Sequence, residues 1–331
     1  MSSSKLPHRE PRQQPTNIAQ LKNNVQRVAE IVRKLKETDV TAFSREQLLA
    51  EYGISVQQLN GVTGVPCSGG QAYIKPISPE VVIEWLKKYA PEESEDLESF
   101  DIDFPNLDVT ELSPGFDFHE AIELSDLLLN RVKFSKDPNM GVMMGKESHW
   151  NETELPHHCI SLPHADWEAR EPFHQVHPSQ YGLDFDCVTK SNPELPHMQC
   201  WLADELPVKN GPYLSSAELI TTLALAIAKI KTLNRYQPTV IPVSLLIFLI
   251  VTAHRAVLIQ SVFKITVFSC SGRKLRIVQG AINFHDLNLD FRCSPVMDFS
   301  VGGLRLDGPN ATKVAKVLGW ILGRPVGQIF L

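Results

Sequence analysis

Cysteine is scarce: six residues in 331 cannot build the disulfide framework of a small secreted scaffold. A bilayer-spanning run is also missing. The longest apolar stretch, VIPVSLLIFLIVTA from Val240 to Ala253, contains Pro242 and is closed by His254 and Arg255. At 14 residues it falls short of the about 20 that a spanning helix needs, and it reads as a buried element. No basic excess is present: 32 Lys and Arg against 38 Asp and Glu leave a net charge of −6. That balance gives nucleic acid no general electrostatic attraction. Residues 1–16 are polar, hold three prolines and lack the apolar core of a secretory signal, so they read as a disordered tail. No Gly-x-Ser-x-Gly elbow, phosphate-binding glycine loop or dinucleotide fingerprint occurs. The expectation is an intracellular protein, cytoplasmic or nuclear, with reduced thiols and no membrane attachment.

What is present is a globular composition, 43% hydrophobic and 21% charged, at a length suited to about two domains. Charge is unevenly spread along it. Residues 1–40 carry +4, residues 41–130 carry −13 and residues 131–331 carry +3. The acidic block peaks at PEESEDLESFDIDF, and residues 91–130 read as an acidic linker. Its interleaved Phe100, Phe104, Leu107, Phe116 and Phe118 also suit a segment that docks on a protein partner.

Residues 17–90 read as a helical module. Ile18, Leu21, Val25, Val28, Val32 and Leu35 fall on one face of an amphipathic helix, packed on its own module or offered to a partner. Ser44 with Gln47 makes a capping box for a short helix through Tyr52, and Gly53 supplies its stop. Ser55 would cap a second helix over 56–62, and Ser78 with Pro79 a third to Ala90. The stretch QLLAEYGISVQQLNGV has the layout of a helix-turn-helix, in which Leu49, Gly53, Ile54, Leu59 and Val62 supply a packing residue, a turn glycine and the apolar anchors of the second helix. Its second helix would present Gln57, Gln58 and Asn60, able to read adenine edges. Nucleic acid as a partner is unsupported by charge, because that helix holds no Lys or Arg to neutralise phosphates.

Residues 131–212 read as an irregular connector rich in proline and histidine. Seven of the 11 histidines lie between His149 and Cys200. Cys159 with His164, and His197 with Cys200 in HMQC, have the close spacing of zinc-ligand pairs, although no standard finger pattern is met. His164-Ala165-Asp166 has the His-x-Asp spacing of a non-haem iron site, needing a distant third ligand such as His254 or His285. No cofactor is expected on the leading reading; zinc or iron belongs to the competing one.

Residues 213–331 read as an α+β module. SSAELITTLALAIAKIKTL starts with a capping pattern and is apolar on most faces, so it reads as a buried helix. Short strand-like runs follow at 239–243, 265–269, 275–278, 287–291 and 296–299, with a hairpin at Ser271-Gly272. Asn310 would cap a final helix, ended by Gly323 and Pro325. The expected fold class is α+β: an N-terminal helical, helix-turn-helix-like module, then a small sheet with two helices on one face.

GRKLRIVQGAI, SPVMDFS and LGWILGRPVGQ resemble the C-terminal region of an uncharacterised family of filamentous-fungal proteins, some encoded in secondary-metabolite gene clusters. The likeness covers roughly residues 239–331 and brings no catalytic residues to carry over. The family pattern runs from a proline-valine pair almost directly into the hairpin. Here Pro242-Val243 is followed by an apolar insert near 244–264, which reads as added sequence of translated-intron type. More weakly, YLSSAELITTLALAIAKIKTLNRY is similar to the C-terminal half of fungal cluster-specific transcription regulators, without their N-terminal Cys₆ zinc cluster. The resemblances imply a non-catalytic accessory or regulatory protein. Two readings compete with it: a transcription regulator using residues 45–62, and a metal-dependent enzyme centred on His164 and Asp166.

Overall fold

The computed structural model describes residues 18–89, 116–133, 150–152, 175–176, 182–191, 197–204, 207–235, 262–305 and 307–326. Six helices recur along them: α1 (Ile18–Glu37), α2 (Arg45–Tyr52), α3 (Pro79–Tyr89), α4 (Phe116–Lys133), α5 (Ser216–Arg235) and α6 (Ala311–Ile321). The strands are β1 (Ala42–Phe43), β2 (Ile54–Gln58), β3 (Ile74–Lys75), β4 (Trp150–Glu152), β5 (Gln175–Val176), β6 (Gly182–Ser191), β7 (His197–Asp204) and β8 (Leu214–Ser215). They continue as β9 (Val262–Ser271), β10 (Lys274–Asn283), β11 (Asn288–Cys293), β12 (Met297–Asp298) and β13 (Arg324–Pro325). The fold is α+β, as expected. Among the described residues, no helix is long and apolar enough to cross a membrane.

One mixed sheet organises the chain, in the order β2-β11-β10-β9-β7-β6-β4. The hairpin expected at Ser271-Gly272 forms its centre, with β9 and β10 paired from Lys274↔Ser271 to Asn283↔Val262. Its opening residues, Val262 to Lys264, are the last three of the apolar insert; the rest of that insert lies outside the described residues. Parallel pairing joins β7 to β9 and β2 to β11.

Two apolar cores sandwich the sheet. On one face, Met198, Cys200, Leu202, Phe263, Ile265, Val267, Val278 and Ile282 meet α1 and α5. On the other, Trp201, Phe268, Cys270, Leu275 and Ile277 meet α3, α4 and α6. The helices α5 and α6 therefore cover opposite faces, not one. A central strand covered on both sides has no solvent face, and β7 is buried at every position, its polar His197, Gln199 and Asp204 included.

Several local signals hold. Ser44 and Gln47 form both bonds of the capping box, Gln47 N to Ser44 Oγ at 3.3 Å and Ser44 N to Gln47 Oε1 at 2.9 Å. Gly53 ends α2 at φ +67°, a left-handed conformation that costs glycine little. At the start of α5, Glu218 N donates to Ser215 Oγ at 3.1 Å and Ser215 N to Glu218 Oε2 at 2.8 Å. The α5 helix is buried along most of its length.

Other expectations are corrected. The second helix of the helix-turn-helix is the strand β2: Ile54 and Val56 alternate with Ser55 and Gln57, and the β-branched pair packs into the first core. Leu49 and Val62, which that motif needs buried, are 58% and 50% exposed. The module at 17–90 is not a separate helical unit, since β2 extends the main sheet and Leu21, Val28, Val32 and Leu35 share a core with α5. That packing consumes the apolar face of α1, the one offered to a protein partner.

Within the expected acidic linker, α4 places Ala121, Leu124 and Leu128 at helical spacing in the second core. Residues 91–115 of that segment, including its acidic peak, lie outside the described residues. The connector at 131–212 contributes β4, β5, β6 and β7.

Candidate functional site

The second face of the sheet is divided. Where α3, α4 and α6 cover it, the side chains are mostly apolar, and Trp201 stacks on Phe268 with ring centres 4.9 Å apart. Toward β2 and the starts of β9 and β11 the same face turns polar. The alternation that buries Ile54, Val56, Leu289 and Phe291 sends Ser55, Gln57, Asn288, Asp290 and Arg292 to this side. From β9 and β10 come Val262, Lys264, Ala281 and Asn283. With Tyr73, these residues, Arg292 excepted, line a cleft of about 420 Å³, enough for a small ligand.

Tyr73 is held over the cleft by the last described residues. Pro325 pairs with Ile74, and Val326 N donates to Tyr73 O at 2.8 Å. Beneath the ring, Lys264 Nζ lies 5.0 Å from its centre and donates to Val326 O at 2.9 Å. The Arg292 guanidinium sits over the same ring at 3.6 Å. Burial and the neighbouring Arg292 charge both push the Lys264 ammonium below its ordinary range.

Asp290 is the carboxylate of the cleft. Oδ1 accepts from Ser55 Oγ at 2.8 Å and from Gln57 Nε2 at 3.1 Å. Oδ2 accepts from the Tyr73 hydroxyl at 2.8 Å and from Arg292 Nε at 3.3 Å. A carboxylate has about four acceptor positions, and four protein donors use them. Arg292 is anchored further through Nη1 to Gln71 O at 2.7 Å. Burial of the phenol, then the Asp290 charge, raise the Tyr73 pKa far above 10, so this hydroxyl stays a donor.

The residues singled out from sequence fall in different places. Gln57 belongs to this cleft, bonded to Asp290 and accepting from Ser68 Oγ. Gln58 is exposed at the end of β2, and Asn60 caps a turn, its Oδ1 accepting from Val62 N at 2.9 Å and Thr63 N at 3.1 Å. They form no recognition helix. His197 and Cys200 sit three apart on β7, and a strand sends such residues to opposite faces. Cys200 enters the first core, while His197 lies on the polar face beside Lys264, so the pair cannot hold one zinc ion. Burial, then repulsion from Lys264, bring the His197 pKa down to about 3, while hydrogen bonds with the backbone of Tyr73 and Val326 oppose the shift.

Cys159, His164 and Asp166 lie outside the described residues. Among the described residues, no group of three His, Cys, Asp or Glu side chains is placed to hold a metal ion. His285, one of the distant ligands considered for iron, sits on the β10–β11 turn with its Nδ1 against Asp286.

Lys264, Tyr73, Asp290 and Arg292 were not singled out by sequence. Lys264 looked like the end of an apolar insert, and its partners lie about 60 and 190 residues away in sequence. The available signal was the alternation of Asn288, Asp290 and Arg292 with Leu289, Phe291 and Cys293, which puts three polar groups on one side of a strand. Comparison with protein-family models, curated proteins and solved structures finds no match for this chain.

Proposed function

We propose that this chain is a non-catalytic accessory or regulatory protein that binds a small polar ligand in the cleft between Tyr73 and the polar edge of the sheet. The observation that carries this reading is Asp290. All four of its acceptor positions serve protein donors, so the carboxylate organises the cleft wall and has no lone pair to offer as a base. The resemblance of residues 239–331 to filamentous-fungal proteins supports a role beside a secondary-metabolite gene cluster, in the cytoplasm or nucleus.

The test is a screen of small polar compounds by ligand-observed NMR, run on the full chain and on Ala281→Phe. Ala281 faces the cleft, and a phenyl ring there fills space that a ligand would use. Signals present in the wild type and lost in the variant support the reading. Time-dependent conversion of a bound compound, or iron or zinc retained stoichiometrically through dialysis, overturns it in favour of an enzyme.

A further inference from the structure

The charges around the cleft do not cancel. Arg292 and Asp290 form a pair at 3.3 Å with side chains 7% and 15% exposed. Lys264 has no such partner. Its contacts among the described residues are a backbone carbonyl, the Tyr73 ring, the neighbouring His197 ring and the repelling Arg292. One positive charge is therefore left over in a half-buried setting, where solvent stabilises it incompletely. A single anionic group seated in the cleft would cancel it.

The donors also point to a shape. An ammonium has three N–H groups, and Val326 O takes one, leaving two for a ligand oxygen pair. Gln57 is engaged at both ends, by Asp290 and Ser68. Asn283 is engaged by Asp286 and by the backbone of His285. Asn288, exposed at the ladder end opposite Asn283, keeps its amide free of partners among the described residues. Between Lys264 and Asn288, Val262 and Ala281 give an apolar stretch of wall.

We propose that the ligand is a short monocarboxylic acid bearing a second polar group, its carboxylate paired with Lys264 and its other group met by Asn288. This rests on the cleft being a ligand site. One net charge selects a monoanion over a dianion, and the mixed wall selects a few carbons over an inorganic ion.

The experiment compares lactate, its neutral amide lactamide and the dianion malate, titrated by ligand-observed NMR. Lactate is expected to bind about tenfold more tightly than lactamide, the ratio that one partly desolvated ion pair supplies. Lys264→Met should bring lactate to the level of lactamide, while Lys264→Arg should keep the preference. Because Lys264 also bonds Val326 O, the melting temperature of each variant is measured first. The exposed Asn288→Leu offers a second route that does not threaten folding: it should weaken lactate and lactamide together and leave their ratio intact. Equal binding of lactate and lactamide, both lost in Ala281→Phe, overturns the carboxylate and keeps the cleft. Malate binding more tightly than lactate overturns the single charge. No binding by any probe, with no library compound sensitive to Ala281→Phe, overturns both readings.

Discussion

Arg276 on β10 grips Glu218 in the first turn of α5, Nε to Oε1 at 2.6 Å and Nη2 to Oε2, with both side chains almost fully buried. Glu218 Oε2 also accepts from Ser215 N, and Arg276 Nη1 donates to Lys209 O at 2.7 Å. One carboxylate thus completes the helix cap and fastens that cap to the sheet. Arg276→Met should cost about 3–5 kcal/mol, because it strands a buried carboxylate. The double variant Arg276→Met with Glu218→Leu should recover part of that loss, since neither charge is then buried alone. Urea unfolding of the single and double variants reads the difference.

Tyr73 does two things in the cleft wall, and they separate by mutation. Tyr73→Phe removes the hydroxyl bond to Asp290 and leaves the ring beneath Arg292 in place. The expected loss is about 1–3 kcal/mol, the cost of an unsatisfied, partly buried acceptor. Tyr73→Leu should lose more, because the cation–π contact goes too. Equal midpoints for the two variants in urea would mean that the ring contact contributes nothing.

Local signals were legible in the sequence and long-range ones were not. Ser44 with Gln47, Gly53, and Ser215 with Glu218 each specify a helix end through bonds three or four residues long. The β9–β10 hairpin is equally local. Segment 54–58 misleads because Ser55 resembles a cap, yet β2 exists through a parallel partner more than 200 residues downstream. Strand pairing overrides local propensity in that situation. His197 and Cys200 mislead through spacing alone: three residues bring ligands together on a helix and separate them on a strand. The cleft was hidden for the same reason, because β2, β3, β9, β10 and β11 must all be paired before its wall exists.

Gly280 marks a close approach of α5 to the sheet. A Cβ there would lie 2.4 Å from Thr222 Cγ2 and 3.0 Å from Ile282 Cδ1. Gly280→Ala should therefore destabilise by about 1–3 kcal/mol through overpacking. Thr222→Ser deletes the clashing methyl and keeps the hydroxyl that donates to Glu218 O at 2.7 Å. Added to Gly280→Ala, it should restore most of the loss in thermal unfolding. Failure to rescue would place the strain in the strand rather than against the helix.

His197 sets an acid limit on stability. Its folded pKa of about 3 lies below the ordinary 6.5, chiefly through burial. Between those values the unfolded chain binds one proton more than the native one, so stability rises with pH across the window and falls as acid is added. The contribution is fully present above pH 6.5 and is lost progressively below it, amounting to about 2 kcal/mol between pH 7 and pH 5. Carboxylates with ordinary or lowered pKa values titrate mostly below that interval, and a His197 variant separates this imidazole from the other ten histidines. His197→Leu should flatten the dependence of the urea midpoint between pH 7 and pH 5, whatever it does to absolute stability. A variant that keeps the wild-type slope would mean that the native ring is charged at pH 5. Lys264 beside it would then face a second cation, and the charge surplus in the cleft would be two rather than one.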